Sequence, residues 1–363
     1  MMRIAFTGGG TAGHVNPNLA LIEAAGDRDC RCYYIGSTNG IEADLVSARG
    51  IPFFGIASGK LRRYFAWQNF IDPIKIVWGF FQALLILLRQ RPAVLFSKGG
   101  FVAVPVVLAA ALLRIKIVIH ESDVSPGLAN RLSAPFCHWV CLNFEETQKQ
   151  FRHRYTRVTG TPLRAGLKAA DADRGRAWLA SHKGMQSTQP LLLVVGGSLG
   201  SRALNACIRT DLPELTARFQ VVHVVGKDAI DQHLLDYPGY IQFEYLDEPF
   251  GDVLAAADLV VSRAGANAIY ELLCFHKPQL LIPLPATASR GDQIENAALF
   301  TDKGYALVVR EEALGPGDLA ESVETLWADK AFYVERLRAF HPPDSVSQIW
   351  QVIDDAAAKI AAK

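Results

Sequence analysis

Phe6-Thr-Gly-Gly-Gly-Thr-Ala-Gly-His14-Val-Asn-Pro-Asn-Leu19 is a glycine-rich loop set between an apolar, strand-like run and a helical pattern. Glycine reaches backbone angles closed to other residues, so Gly8, Gly9, Gly10 and Gly13 can bring amide N–H groups against an anion with no Cβ in the way. Asn16 and Pro17 read as an N-cap and first helical residue, which would set the positive end of a helix dipole beside the loop. Imidazole titrates near neutrality without help, so His14 at the loop exit is a candidate general base. The stretch reads as a phosphate or diphosphate site with its own titratable group, a purely structural turn being the alternative. It also fits G-x-G-x-x-G as Gly8, Gly10 and Gly13. A nicotinamide fold, however, wants an acidic residue about 20 positions on, at the end of the second strand. Here the run Cys30–Ile35 ends in Gly36-Ser37-Thr38, which disfavours a dinucleotide.

The same device recurs. Leu191-Leu-Leu-Val-Val-Gly-Gly-Ser-Leu-Gly200, followed by a helical run from Arg202, is again strand, glycine loop, helix. Short apolar runs alternate with helical patterns at Arg3–Thr7, Cys30–Ile35, Ala93–Ser97, Lys116–His120, Trp139–Asn143 and Arg157–Thr159. They continue at Leu191–Val195, Val221–Val225, Gln242–Tyr245, Leu259–Ser262, Gln279–Ile282 and Ala306–Val309. This pattern predicts an α/β fold of two Rossmann-like, doubly wound parallel-sheet units in tandem, with the polar stretch Leu167–Gln189 as a hinge. Ligands of such sheets sit at the carboxyl ends of the strands, and two units facing each other would put both loops across one cleft. The amphipathic segment Val346–Ala362 is expected to cross back onto the first domain. The expected domains are residues 1–164 with the helix 344–363, and residues 165–343.

Composition narrows the classes. At 363 residues, half of them hydrophobic and a fifth charged, the chain can build two ordinary cores. Its six cysteines form no C-x-x-C pair, which points to reduced thiols, and Cys137-His138 with Cys141 lacks the further ligand pair a zinc site needs. Met1-Met2-Arg3-Ile4 enters a strand directly, so no secretory leader is expected. The uncharged runs Ile76–Leu88 and Phe101–Leu113 have 13 residues each, short of the roughly 20 that span a bilayer. Residues 1–164 carry a net charge of +9 and the remainder −8, so the first half is expected to meet something anionic. Nucleic acid is not expected, because no basic stripe with interleaved aromatics or known binding motif is present. Lys60-Leu-Arg-Arg-Tyr-Phe-Ala-Trp67, the apolar run to Leu88 and then Arg89 and Arg91 suggest instead a patch that meets anionic lipid. A wholly apolar helix can also be core, which is the competing reading.

Four further segments fall at strand ends. His120-Glu-Ser-Asp-Val-Ser-Pro-Gly-Leu-Ala-Asn130 concentrates titratable groups, among them Glu121 and Asp123. Thr159-Gly-Thr-Pro-Leu-Arg164 offers a guanidinium suited to bidentate phosphate binding. Ser262-Arg-Ala-Gly-Ala-Asn-Ala-Ile-Tyr-Glu271 exposes backbone N–H groups and places Glu271 where a carboxylate could accept two vicinal ribose hydroxyls. Ser289-Arg-Gly-Asp-Gln-Ile-Glu-Asn296 supplies Gln293 and Asn296 for sugar hydroxyls. Together they describe a nucleotide-sugar site without a metal-binding Asp-x-Asp at a strand end.

In combination and order these motifs resemble the MurG family, bacterial peptidoglycan N-acetylglucosaminyltransferases of the two-domain GT-B type. The resemblance runs through Gly-Gly-Thr-Ala-Gly-His14, Ser97-Lys-Gly-Gly-Phe-Val102, His120-Glu-Ser-Asp, Gly160-Thr-Pro-Leu-Arg164, Gly196-Gly-Ser-Leu-Gly200, Ser262-Arg-Ala-Gly265 with Glu271, and Gly291-Asp-Gln293 with Asn296. It implies inverting, metal- and cofactor-independent transfer of N-acetylglucosamine from its UDP form to the muramoyl-pentapeptide of an undecaprenyl-diphosphate lipid. The partners it implies are that donor, that lipid and the anionic membrane surface, with the protein peripheral on the cytoplasmic face of the plasma membrane. It further implies that Thr11, Ala12, Gly13, Arg164, Ser198, Leu246, Ala266, Asn267, Ala268, Glu271 and Gln293 contact the donor. Glu271 would hold the ribose, Arg164 and Ser198 the diphosphate, the Leu246 backbone the uracil, and Gln293 the sugar. Asp123 and Asn130 would also bind substrate, and His14, Glu121 and Asp123 are the catalytic candidates. Ala12 stands where the family often has Gly, and Asp123 where many members have Asn. A UDP-N-acetylglucosamine 2-epimerase, a transferase with another lipid acceptor and a non-catalytic nucleotide-sugar binder are the alternatives.

Overall fold

Among the described residues every strand pair is parallel, because each strand is joined to the next through a helical crossover, and the central strands are buried on both faces. The computed structural model describes residues 1–26, 28–59, 68–151, 153–182, 185, 189–197 and 200–361. These fall into two units, Met1–Arg164 with Pro343–Lys363, and Ala165–Pro342.

The first unit holds β1 (Met2–Thr7), β2 (Cys30–Ser37), β3 (Phe53–Ile56), β4 (Val94–Ser97), β5 (Lys116–Glu121), β6 (Trp139–Leu142) and β7 (Thr156–Val158), in the sheet order β3-β2-β1-β4-β5-β6-β7. The period-two alternation of strand side chains sorts them onto two faces. Ile4, Phe6, Val94 and Phe96 pack with the helix Ala12–Glu23 and the C-terminal helix Ser345–Ala361. Ala5, Leu95, Ile117 and Ile119 pack with the helices Gln68–Gln90 and Ala103–Leu112. Trp350 anchors the C-terminal helix: it is buried, its ring meets Phe6 at 6.5 Å, and its indole N–H donates to the Leu21 carbonyl at 3.2 Å.

The second unit holds β8 (Leu191–Val195), β9 (Gln220–Val224), β10 (Tyr240–Phe243), β11 (Leu259–Ser262), β12 (Gln279–Leu281) and β13 (Leu307–Val308), in the order β10-β9-β8-β11-β12-β13. In both sheets the strand order reverses beside the first strand, between β1 and β4 and between β8 and β11. A crevice outside the strand ends opens at such a reversal, and there doubly wound folds bind ligands.

Four details differ from the sequence reading. The stretch Leu167–Gln189, expected as a hinge, belongs to the second unit and holds the helix Ala172–Ala180, whose Arg174 and Arg176 pair with Asp252 and Asp258. Phe53–Ile56 is a strand that the pattern did not reveal, since four residues with Gly55 among them carry little signal. β10 begins at Tyr240 rather than Gln242. The first helix begins at Ala12, with Thr11 as its N-cap in extended conformation, so Asn16 and Pro17 lie inside it. Pro17 lies beyond the first turn, so it has no N–H to give the Gly13 carbonyl and the helix goes without that bond. Among the described residues no helix is long and apolar enough to cross a membrane.

Candidate active site

At the β1/β4 reversal the loop after β1 and the loop after β4 touch. Gly100 has φ +85°, and a Cβ there would sit 2.4 Å from the Gly9 carbonyl oxygen, so only glycine fits. The first loop is tied from below: Tyr34 donates its hydroxyl to the Gly8 carbonyl at 2.8 Å, and the Asn18 amide donates to Thr7 O and Tyr34 Oη. Beneath it lies a carboxylate that the sequence reading missed. Glu42 is fully buried and accepts from the amides of Gly10 at 3.2 Å and Ser37 at 2.9 Å. A Cβ on Gly9 would come within 2.4 Å of its Oε1, and one on Gly40 equally close, so these glycines clear room for an acid. The loop expected to offer its amides to an anion thus has the Gly10 amide committed to Glu42.

Thr11 is exposed and its Oγ1 lies 2.9 Å from Nδ1 of the half-buried His14. Ala12 and Gly13 form the first helical turn beside them.

The end of β5 is organised by Glu121. Its buried carboxylate accepts four hydrogen bonds: Oε1 from the amides of Ser122 at 2.8 Å and Asp123 at 3.0 Å, and Oε2 from the Gly127 amide at 2.8 Å and Asn130 Nδ2 at 2.9 Å. Burial, then the charge of Asp123, pushes its pKa up, against the pull of those hydrogen bonds. Asn130 is buried and also donates to the His120 carbonyl at 3.0 Å. Asp123 itself is half-buried on the loop Glu121 shapes. Arg164, half-buried, is the last residue of this unit.

In the second unit Ser198 lies outside the described residues. After its glycine loop, Ser201 caps the helix Arg202–Thr210, its hydroxyl accepting from the Leu204 amide at 3.3 Å. Arg263, buried at the end of β11, donates to Ser201 Oγ, to Glu311 and to the Ile282 carbonyl, and so joins the loops after β8 and β11 at the reversal. Gly265 then starts the helix Ala266–Cys274, with Ala266 buried and Asn267, Ala268 and Glu271 half-buried along its first turns. Leu246 is buried. Gln293 Oε1 accepts from the Leu284 amide at 3.0 Å, which leaves its NH2 as the group to offer a ligand. Asn296, read from the sequence as a sugar ligand, is instead fully buried and donates to the Ala264 carbonyl at 3.2 Å. The structure thus ties the loops after β1, β4 and β5 to one another through Gly9, Gly100 and the Gly99–Asn130 approach, and in the second unit ties Ser201 to Arg263.

Two parallel doubly wound units, each with a glycine loop at its reversal, make up the two-domain GT-B fold. The crystal structure of MurG from Acinetobacter baumannii has this fold, with a TM-score of 0.75 over 98% of this chain and 100% of that one, at 23% identity. The family models for the N-terminal and C-terminal domains of glycosyltransferase family 28 match residues 4–141 and 191–349, and the chain belongs to that family. Among curated relatives it is 45% identical to the UDP-N-acetylglucosamine--N-acetylmuramyl-(pentapeptide) pyrophosphoryl-undecaprenol N-acetylglucosamine transferase of Clostridium botulinum (strain Loch Maree / Type A3), over 97% of this chain and 99% of that protein. It is 46% identical to the enzyme of the same name from Legionella pneumophila (strain Paris), over 98% of this chain and 97% of the relative.

Proposed function

We propose that the chain transfers N-acetylglucosamine from its UDP form to the muramoyl-pentapeptide of an undecaprenyl-diphosphate lipid, with inversion. The observation that carries this reading is the 45% identity, over 97% of the chain, to a relative whose name states that transfer. The acceptor hydroxyl attacks the anomeric carbon, the bond to the UDP phosphate oxygen breaks, and the hydroxyl proton goes to one base. His14 is that base: when Nδ1–H donates to Thr11, Nε2 keeps its lone pair. Glu121 is assigned to shaping the loop that presents Asp123, since both its oxygens already accept two hydrogen bonds each.

The donor belongs to the second unit. Glu271 takes the ribose hydroxyls, Ser198 the diphosphate, the Leu246 backbone the uracil and the Gln293 amide the sugar. The helix N-terminus at Ala266 stabilises the departing charge.

The helix Gln68–Gln90 supports docking on the cytoplasmic, anionic surface of the plasma membrane. Ala83 and Leu87 are buried beneath it, while Ile74, Val77, Trp78, Phe81, Leu85 and Leu88 are 48–69% exposed on a single stripe. Arg89 and Arg91 follow at its end, and Arg62, Arg63 and Trp67 lie outside the described residues.

Radiolabelled UDP-N-acetylglucosamine incubated with the muramoyl-pentapeptide diphosphate lipid in detergent tests the reading. Label is expected in a lipid-linked disaccharide; hydrolysis or 2-epimerisation of the donor with no labelled lipid would overturn it.

A further inference from the structure

Lys98 follows β4 directly and enters the Gly99-Gly100 turn, yet its side chain is only 2% exposed. Its Nζ meets three acceptors: His120 Nδ1 at 2.7 Å, Thr161 Oγ1 at 3.2 Å, and Ser122 Oγ. The direction of each bond can be fixed. His120 Nε2 lies 2.8 Å from the Gly160 carbonyl, which only accepts, so the ring proton is on Nε2 and Nδ1 is a lone pair. An ammonium has three hydrogens and no lone pair, which matches three acceptors. Ser122 Oγ, accepting from Lys98, keeps its own hydrogen for another partner, and Ser122 is half-buried on the loop that carries Asp123.

A buried cation whose hydrogen-bond partners are all neutral is unfavourable for folding. Burial lowers Lys98 to about 7, and Glu121, Asp123 and Cys141 pull it back up. His120 is held far below its usual value, by burial first and by Lys98 second, so it stays neutral beside the ammonium. Four strand-end segments, after β4, in β5, after β5 and after β7, converge on this one nitrogen at the substrate end of the sheet.

We propose that Lys98 is a positioning residue for the acceptor side of the transfer: its ammonium holds the Ser122 hydroxyl as a donor to the bound acceptor and supplies the positive charge beneath the Glu121 and Asp123 carboxylates. The inference rests on the transferase reading above. On that reading the donor is held by the second unit, so the signature of Lys98, in the first unit, is confined to acceptor kinetics.

The test compares wild type, Lys98→Met, Ser122→Ala and the double variant for acceptor-lipid kcat and KM at saturating donor. UDP affinity and thermal melting are measured alongside. Lys98→Met is expected to lose at least about tenfold in kcat/KM for the lipid, in the range of a hydrogen bond to a charged group. UDP affinity should change less than about twofold on the same scale. Ser122→Ala added to Lys98→Met should cost little more, because the two act as one unit. In Lys98→Ala, ethylamine or propylamine in solution should restore part of the lost rate and the matching alcohols should not. Wild-type acceptor kinetics in Lys98→Met, equal loss of UDP binding, or equal rescue by alcohols would overturn the assignment. A wild type that transfers while Lys98→Met is also fully active sinks only the lysine. A wild type that neither transfers label nor binds the lipid in a fluorescence titration sinks both readings.

Discussion

The two glycine loops share a strand-loop-helix pattern and differ in what lies under them. Beneath the first is the buried Glu42 carboxylate, which takes the Gly10 amide, and the loop exit presents His14 against Thr11. The second leads into a helix capped by Ser201 and backed by the Arg263 guanidinium, which Glu311 balances. A glycine pattern therefore reports the path of the backbone, and the buried side chain beneath it decides which chemistry the loop can support. Under the proposed function the first loop serves proton transfer at the acceptor and the second the anionic donor.

Replacing His14 should give the largest effect on this contrast. His14→Ala is expected to lower turnover about 10²–10⁴-fold, the usual contribution of a general base, measured as lipid-linked product at saturating substrates. A drop under tenfold would return Asp123 to the role of base.

Glu42→Ala should come next. Two amides lose their acceptor in a buried setting, so folding stability should fall by about 1–3 kcal/mol, read from urea denaturation. Transfer should fall with it, since the Gly8–Gly13 loop would lose the contact that sets its path. Unchanged stability would mean that water replaces the carboxylate freely.

The second unit offers a smaller, pH-dependent test. His223 is buried between Tyr240 Oη at 2.9 Å and Asn205 Oδ1 at 3.0 Å, and burial lowers it to about 3. The unfolded chain binds this proton at higher pH than the folded one does, so the stability His223 contributes is present above its ordinary value of 6.5 and is lost as pH falls toward about 3. His223→Gln should flatten the fall in second-unit stability between those limits, as followed by hydrogen exchange at several pH values; an unchanged slope would contradict it.

Much of the fold was legible because strands buried on both faces must be continuous apolar runs, as at Leu191–Val195 and Lys116–Glu121. Two features were not: the edge strand Phe53–Ile56 is brief, and the start of the first helix was misplaced because Asn16-Pro17 imitates a cap. At the site, His14 and the strand-end loops could be read since function gathers there. Glu42 and Lys98 could not be given roles, because their burial comes from partners distant in sequence: Glu42 through the space Gly9 leaves, Lys98 through His120 and Thr161. A charge set directly against Gly-Gly at a strand end was the signal available for Lys98.

Calorimetric titration of UDP into His14→Ala and Glu271→Ala, side by side with wild type, tests most directly the division between acceptor chemistry in the first unit and donor binding in the second. The account predicts that His14→Ala keeps UDP affinity within about twofold, while Glu271→Ala weakens it by about 1.5–3 kcal/mol, the loss of a charge-assisted hydrogen bond. A His14→Ala protein that loses UDP as severely as Glu271→Ala would contradict it.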